Sequence, residues 1–232
     1  MIDRYSIAAS AQALGHRFSV DVPSHYKPYY NAGPAQLLPV ITHRSPEGVS
    51  FFYWGLVPQW AKAKTPGEKI INTRAEGIPE KPALQKKLLH YRCIVPADGF
   101  YAWKRIGKKT NIPYRFFLKN QQLASFAGLW EEYEDEHGEM HHTFSMITIP
   151  SNSLVAKVAE RMPLLLNQDG ERLWLNKETP IESLFKVMIP FPADQMESYT
   201  VSPRINSASI NDPSLLLPTA PADQFGNLTL FD

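Results

Sequence analysis

The sequence predicts one α+β domain built mainly on antiparallel strands. Three observations lead there. Strand patterns outnumber helical ones along the chain. Their order is not the strand–helix alternation of a parallel sheet. No repeat, low-complexity tract or linker divides the 232 residues, a length that suits a single large domain. The folded unit is expected over residues 1–222, with 223–232 as a tail.

The elements follow in order. Residues 6–18 (SIAASAQALGHRF) carry Ile7, Leu14 and Phe18 near one helical face, with Ser6 as the expected N-cap. Residues 22–36 hold three prolines and three tyrosines and read as an ordered, extended loop. Leu37–His43 and Val49–Trp54 read as strands around a turn at Arg44–Gly48. Ile78–Tyr91 mixes apolar and basic residues at helical spacing. Arg92–Pro96, Gly99–Arg105, Tyr114–Leu118, Leu123–Gly128 and Thr143–Ile149 are strand candidates. Ile106–Asn111 reads as a basic hairpin turn, and Glu131–His142 as a polar, acidic connection. Ser153–Glu160, Asp169–Leu175 and Ile181–Val187 suit helices, and residues 190–222 read as Pro-rich and irregular.

Composition narrows the function classes. Hydrophobic residues make up 44% and charged residues 20%, which excludes collagen, coiled coil and wholesale disorder. A lone cysteine, Cys93, forbids an intrachain disulfide and fits a reducing compartment. The start lacks a basic segment followed by an apolar run, and no stretch of about 18 apolar residues occurs. A cytoplasmic protein with no membrane partner is therefore expected. Net charge is only +1, yet residues 1–130 carry 18 Lys and Arg against 7 Asp and Glu. Residues 131–232 carry 6 against 16. That split suggests an electropositive surface, unless the two segments interleave in space and cancel.

Several searches come back empty: there is no Gly-rich phosphate loop and no G-x-S-x-G elbow. His137, His141 and His142 lie close together, but H-G-E-M-H-H matches no familiar metal site. No metal and no cofactor are expected. Cys93 lies in an apolar strand candidate and reads as a packing residue rather than a nucleophile. More distinctive are W-G-L-V-P-Q-W (Trp54–Trp60), N-T-R-A-E (Asn72–Glu76), D-G-F-Y-A-W-K (Asp98–Lys104) and E-R-M-P (Glu160–Pro163). Aromatics interleaved with Arg and Asn suit stacking on bases and holding phosphates. Singly, each also suits a core aromatic or a loop cap.

As an ordered set, from M-x-x-R-Y at Met1–Tyr5 to V-S-P-R-I-N at Val201–Asn206, these motifs resemble the SRAP family. The family is named for the SOS-response-associated peptidase and also called abasic-site-processing proteins. The resemblance implies a β-barrel-like core and a cationic groove for single-stranded DNA. It also implies a covalent reaction. Family members begin M-C-G-R, and the cysteine freed by loss of methionine condenses with the aldehyde of an abasic site, closing a thiazolidine. Asn, Glu and His residues assist that step and the removal of residues before the cysteine.

This chain departs at the reactive positions. Ile2 stands where the cysteine is expected, Ala102 where F-Y-E-W has Glu, and Ala159 where H-D-R-M-P has His. Met1 is expected to stay, because Ile2 is large. Retained are Arg4, Asn72, Arg74, Trp60, Trp103, Thr148 and Arg161. The pattern predicts a DNA-binding protein that has lost the covalent step. Arg4 and Arg74 would hold phosphates, Asn72 would meet the lesion or its sugar, and Trp60 and Trp103 would stack or wedge. One alternative is an active abasic-site enzyme working through the Met1 α-amine. Its unperturbed pKa of about 7.7–8.0 leaves some free base at neutral pH. Another is a protein-interaction module. The end of the chain, N-L-T-L-F at Asn227–Phe231, resembles the bacterial sliding-clamp-binding pentapeptide, with Leu228, Leu230 and Phe231 as its apolar contacts.

Overall fold

A computed structural model describes residues 2–55, 70–106, 110–120, 122–134 and 138–228. The elements are β1 (Tyr5–Ile7), α1 (Ala11–Phe18), β2 (Tyr29–Ala32), β3 (Leu37–Thr42), β4 (Ser45–Trp54) and β5 (Asn72–Arg74). Then come α2 (Pro82–His90), β6 (Arg92–Ala97), β7 (Gly99–Ile106), β8 (Thr110–Leu118), β9 (Ala124–Glu134) and β10 (Met140–Pro150). The last are β11 (Arg161–Pro163), β12 (Leu165–Leu166), α3 (Gln168–Leu175), α4 (Ile181–Lys186) and β13 (Met196–Thr200).

Strands β4, β3, β6, β9 and β10 pair in that order, and β10 pairs back to β4, closing a five-stranded barrel. Every seam is antiparallel except β10 with β4, where Thr143 faces Tyr53 and Phe144 faces Trp54 in parallel. Closure leaves the ring no free edge. Gly128 lies opposite Cys93 on one side and Met146 on the other. A Cβ there would fall 2.9 Å from the Cys93 sulfur and 3.2 Å from the Ser145 carbonyl oxygen, so the strands meet only over glycine.

A second antiparallel sheet, β13-β8-β7-β1-β2, packs on the barrel. Its contact is aromatic. Tyr5 meets Trp54 and Phe126 edge-on at 5.4 and 6.3 Å, and Phe100 meets Phe126 at 6.0 Å.

The helices are tied down by Arg92, which is fully buried. Its guanidinium donates to the carbonyls of Leu88 and Leu89 in the last turn of α2, at 2.6 and 2.9 Å. It also donates to Trp174 at 2.6 Å and Asn176 at 2.7 Å, at the end of α3. A cation at two helix C-termini meets two negative dipole ends at once. Burial lowers its pKa to about 10, so it stays charged at neutral pH.

Several sequence expectations give way to tertiary contacts. The helix expected over residues 6–18 starts later: Tyr5–Ile7 is a strand, and α1 is capped by Ser10, whose hydroxyl accepts from the Ala13 amide. Ser6 cannot cap, because it pairs with Gly99 and donates to Asp98 at 2.5 Å. The expected loop 22–36 contains β2, and the irregular stretch 190–222 contains β13, recruited by the edge of β8. The helix expected at Ser153–Glu160 shrinks to one 3-10 turn, Val155–Lys157. The Asn152 side chain accepts from the Leu154 and Val155 amides there. The polar connection Glu131–His142 is mostly strand, because β9 and β10 pair out to Glu134 and Met140.

The two charge segments also interleave. Arg17 pairs with Glu171 at 2.5 Å, Arg44 with Glu132 at 2.7 Å, and Lys87 with Glu131. Part of the basic excess is therefore cancelled across the divide.

Arg92→Leu orphans four carbonyl oxygens. It is expected to lower the unfolding free energy by about 3 kcal/mol or more in a urea titration. Arg92→Lys recovers only part, because one ammonium cannot span both helix ends.

Candidate functional site

Strand β10 assembles the retained motifs. It leaves β9 at Met146 and takes β5 as a parallel neighbour, with Asn72 opposite Met146 and Arg74 opposite Thr148. It takes β11 on the antiparallel side, with Pro163 opposite Thr148 and Arg161 opposite Pro150. The first motif fixes where β5 starts. The buried Trp54 indole donates to the Ile71 carbonyl at 2.8 Å, and the same oxygen accepts from the Met146 amide at 2.9 Å. Gly55 has φ 68°, and a Cβ on it would fall 2.2 Å from the Ile71 side chain. Only glycine fits that turn.

Asn72 holds the start of the chain: its Nδ2 donates to the Ile2 carbonyl at 2.6 Å. The Ile2 side chain is 1% exposed and belongs to the main core. Asn72 Oδ1 and Asp3 Oδ1 are both buried and accept from no partner. Burial raises the Asp3 carboxyl above its ordinary range, against the lowering pull of Arg4. Arg4 donates to the Asp3 carbonyl at 2.7 Å and packs on Gly33, where a Cβ would lie 3.1 Å from Nη1. Its Nη1 is thus held by the neighbouring backbone, while Nε is buried without a hydrogen-bond partner.

Arg74 is exposed; its side chain makes no hydrogen bond or ion pair among the described residues, although its charge helps to lower the Glu76 carboxyl. Arg161 does not pair with its neighbour Glu160. It meets the Glu76 carboxylate with both Nη atoms, at 3.1 and 2.9 Å, and donates to the Thr148 hydroxyl at 3.2 Å and carbonyl at 2.6 Å. These hydrogen bonds hold the Glu76 carboxyl below its usual range. The N-T-R-A-E and E-R-M-P motifs are therefore two halves of one contact. Glu76 closes the N-T-R-A-E motif, but only the fold reveals its partner.

The remaining candidate residues lie apart from one another. Trp103 donates to Asn206 Oδ1 at 2.9 Å and packs on a small second cluster with Tyr101, Val201, Ile205 and Leu215. Ala102, its neighbour on β7, joins the main core instead. Ala159 is half-buried after the Val155–Lys157 turn, its amide donating to the Val155 carbonyl at 2.9 Å. Trp60 lies outside the described residues, as do Leu230 and Phe231. Leu228 is 72% exposed, while Asn227 is held by Asp223 through its amide at 2.9 Å and its side chain at 3.1 Å. Cys93 is buried and its thiol pushed well up by burial, which suits packing and not nucleophilic attack.

The closed barrel with its flanking sheet defines the fold, and the candidate site gathers beside β1 and β5. The model of the SOS response associated peptidase (SRAP) family matches residues 1–208, and the chain belongs to that family. The chain is 39% identical over 221 residues to the abasic site processing protein YoqW of Bacillus subtilis, covering 93% of this chain and 99% of that one. It is 30% identical to the abasic site processing protein HMCES of Rattus norvegicus, covering 84% of this chain and 66% of that one. A crystal structure of a Bacteroides thetaiotaomicron protein superposes with a TM-score of 0.82 at 29% identity, covering 93% of this chain and 99% of that one.

Asn72→Ala removes the hold on Ile2. A loss of about 1 kcal/mol in stability is expected, with faster amide hydrogen exchange across residues 2–7 than in the barrel strands.

Proposed function

We propose that the protein binds single-stranded or abasic-site DNA without forming the family's thiazolidine crosslink. The observation that carries the reading is at the second residue. Ile2 fills the position of the reacting cysteine, and its side chain is packed in the core with its carbonyl held by Asn72. No sulfur is available there to close a thiazolidine. Ala102 and Ala159 offer no proton at the other two reactive positions.

What remains suits binding. Arg74 presents an exposed cation on β5 that makes no side-chain ion pair among the described residues. Arg161, forked onto Glu76, and Thr148 brace β5 from across β10. Arg4 supplies positive charge beside Asp3, and Asn72 stands between the first strand and β10. Trp103, tied to Asn206, gives a fixed ring on the second sheet. The similarity to proteins named for abasic-site processing supports DNA as the partner.

The test is equilibrium binding to a single-stranded oligonucleotide across a salt series. Affinity is expected to fall steeply between about 50 and 200 mM salt. Arg74→Ala should weaken binding and reduce the log–log salt slope by about 0.7, the loss of one phosphate contact. A denaturing gel with abasic single strands should show no stable adduct, and borohydride should trap none. An adduct would support the active-enzyme alternative through the Met1 amine.

A second reading concerns the tail. The backbone of Leu228 bridges Ala222 while its side chain is 72% exposed, and that exposed apolar side chain favours an apolar partner groove such as that of a bacterial sliding clamp. Deleting Leu228–Asp232 is expected to abolish capture by immobilised clamp and leave DNA affinity unchanged. Unchanged capture would refute the tail reading.

A further inference from the structure

A cavity with no residue of the β5 site in its walls lies on the far face of the second sheet. Phe100 and Phe116 stack at 5.2 Å, and Phe100 meets Phe126 of the barrel, so these side chains face the barrel. Alternation along β7 and β8 turns their neighbours Tyr101 and Arg115 to the opposite face. Tyr199 on β13 lies opposite Arg115. A cavity of about 430 Å³ opens there, lined from the sheet by Arg115, Phe117 and Tyr199. Apolar carbon from Ala9 and Ala13 at the start of α1, and from Leu123 and Leu216, lines the rest. That volume suits a small molecule.

The charges at the cavity offset each other. Among the described residues that line it, only Asp98 and Arg115 are charged, and they pair at 2.8 Å with side chains 15% and 9% exposed. Arg115 Nη2 donates to the Asp98 carbonyl at 3.0 Å and to Oδ1 at 2.8 Å, and Nη1 donates to the Tyr199 hydroxyl at 3.1 Å. Nε is buried against Gly99, where a Cβ would lie 3.0 Å from it. One Nη1 hydrogen is left. Asp98 Oδ1 accepts from Ser6 and Arg115, whereas Oδ2 accepts from the Ala8 amide alone. Each carboxylate oxygen offers two acceptor sites, so Oδ2 keeps one. The Tyr199 proton is spent on the Leu216 carbonyl at 2.5 Å. An ion pair buried this far gains when its remaining donor and acceptor are satisfied.

We infer that this cavity binds a small neutral molecule carrying a carboxamide or lactam edge on an apolar body. The ligand carbonyl accepts the remaining Nη1 hydrogen of Arg115, and the adjacent ligand N–H donates to Asp98 Oδ2, one proton for each acceptor. A carboxylate in the same place would be repelled by Asp98, and an ammonium by Arg115. The apolar body packs on Phe117, Leu123 and Leu216. No unpaired cation among the described lining residues is there to hold a phosphate, so the inference is independent of the DNA-binding reading.

The experiment uses the full chain and three probes of similar shape: benzamide, benzoate and acetophenone. Affinities are read from backbone amide shifts in nitrogen–proton correlation spectra, with Ala8, Ala9 and Ala13 as reporters. Benzamide is expected to give saturable shifts at those amides. It should bind about 10-fold tighter than acetophenone, which lacks the donor, the worth of one hydrogen bond to a charged group. Benzoate should bind no better than acetophenone. Ala13→Trp fills the cavity from an exposed position of α1 and leaves the ion pair alone, so it should abolish benzamide binding with an unchanged melting midpoint. Equal affinity for the three probes, or a preference for benzoate, overturns the amide-edge assignment. Absence of saturable shifts at millimolar benzamide, or binding retained in Ala13→Trp, overturns the site. A single-stranded oligonucleotide should leave benzamide affinity unchanged; displacement by it overturns the assignment to an independent small molecule.

Discussion

The change of partners along β10 is the constraint on which the site depends. One half of the strand closes the barrel against β9 and β4, and the other half carries β5 and β11. A strand has two edges, so new neighbours are accepted only where the old ones stop. The switch falls at Met146–Thr148, and there the Asn72, Arg74 and Arg161 segments converge. Because β5 and β11 come from two distant parts of the chain, their geometry is only as rigid as the barrel seam that feeds them.

That rigidity has identifiable sources. Trp54 and Gly55 lock the approach to β5 through the Ile71 carbonyl and a contact no Cβ would tolerate. Arg92 replaces a purely apolar joint between two helix ends and the barrel with four charge-assisted hydrogen bonds. Such a group is costly to bury but directional, and it sets where α2 and α3 end. The site itself is less fully satisfied. Asp3, Arg4 and Asn72 all keep a buried polar atom without a partner, which is where folded proteins concentrate function.

The pairing of Arg161 with Glu76 changes how the retained cations are read. Arg161 is braced by a carboxylate and by Thr148, so it acts on β5 and β11 more than on solvent. Arg74, beside it on the same small sheet, is the cation left open. Arg4 is bent back onto the Asp3 carbonyl and Gly33. The positive charge of the site is thus unequal among its arginines, and the interleaved ion pairs elsewhere offset part of the basic half of the chain.

The sequence by itself determined the α+β class, most barrel strands and the motifs that identify the family. These rest on local periodicity and on residue identity, which need no partner to be read. It also named Asn72, Arg74, Thr148 and Arg161, in one set with Arg4, Trp60 and Trp103. It misplaced the first helix, because Ser6 suits a cap locally but is claimed by Asp98 and by the β7 ladder. It missed β13, whose pairing is supplied by the edge of β8. Only the tertiary structure decided that Arg161 answers Glu76, that Trp103 packs on the small second cluster, and that Asp3 Oδ1 lies buried without a hydrogen-bond donor beside the residue Asn72 holds. Those facts are distances between segments far apart in the chain, and such distances exist only after the barrel has closed.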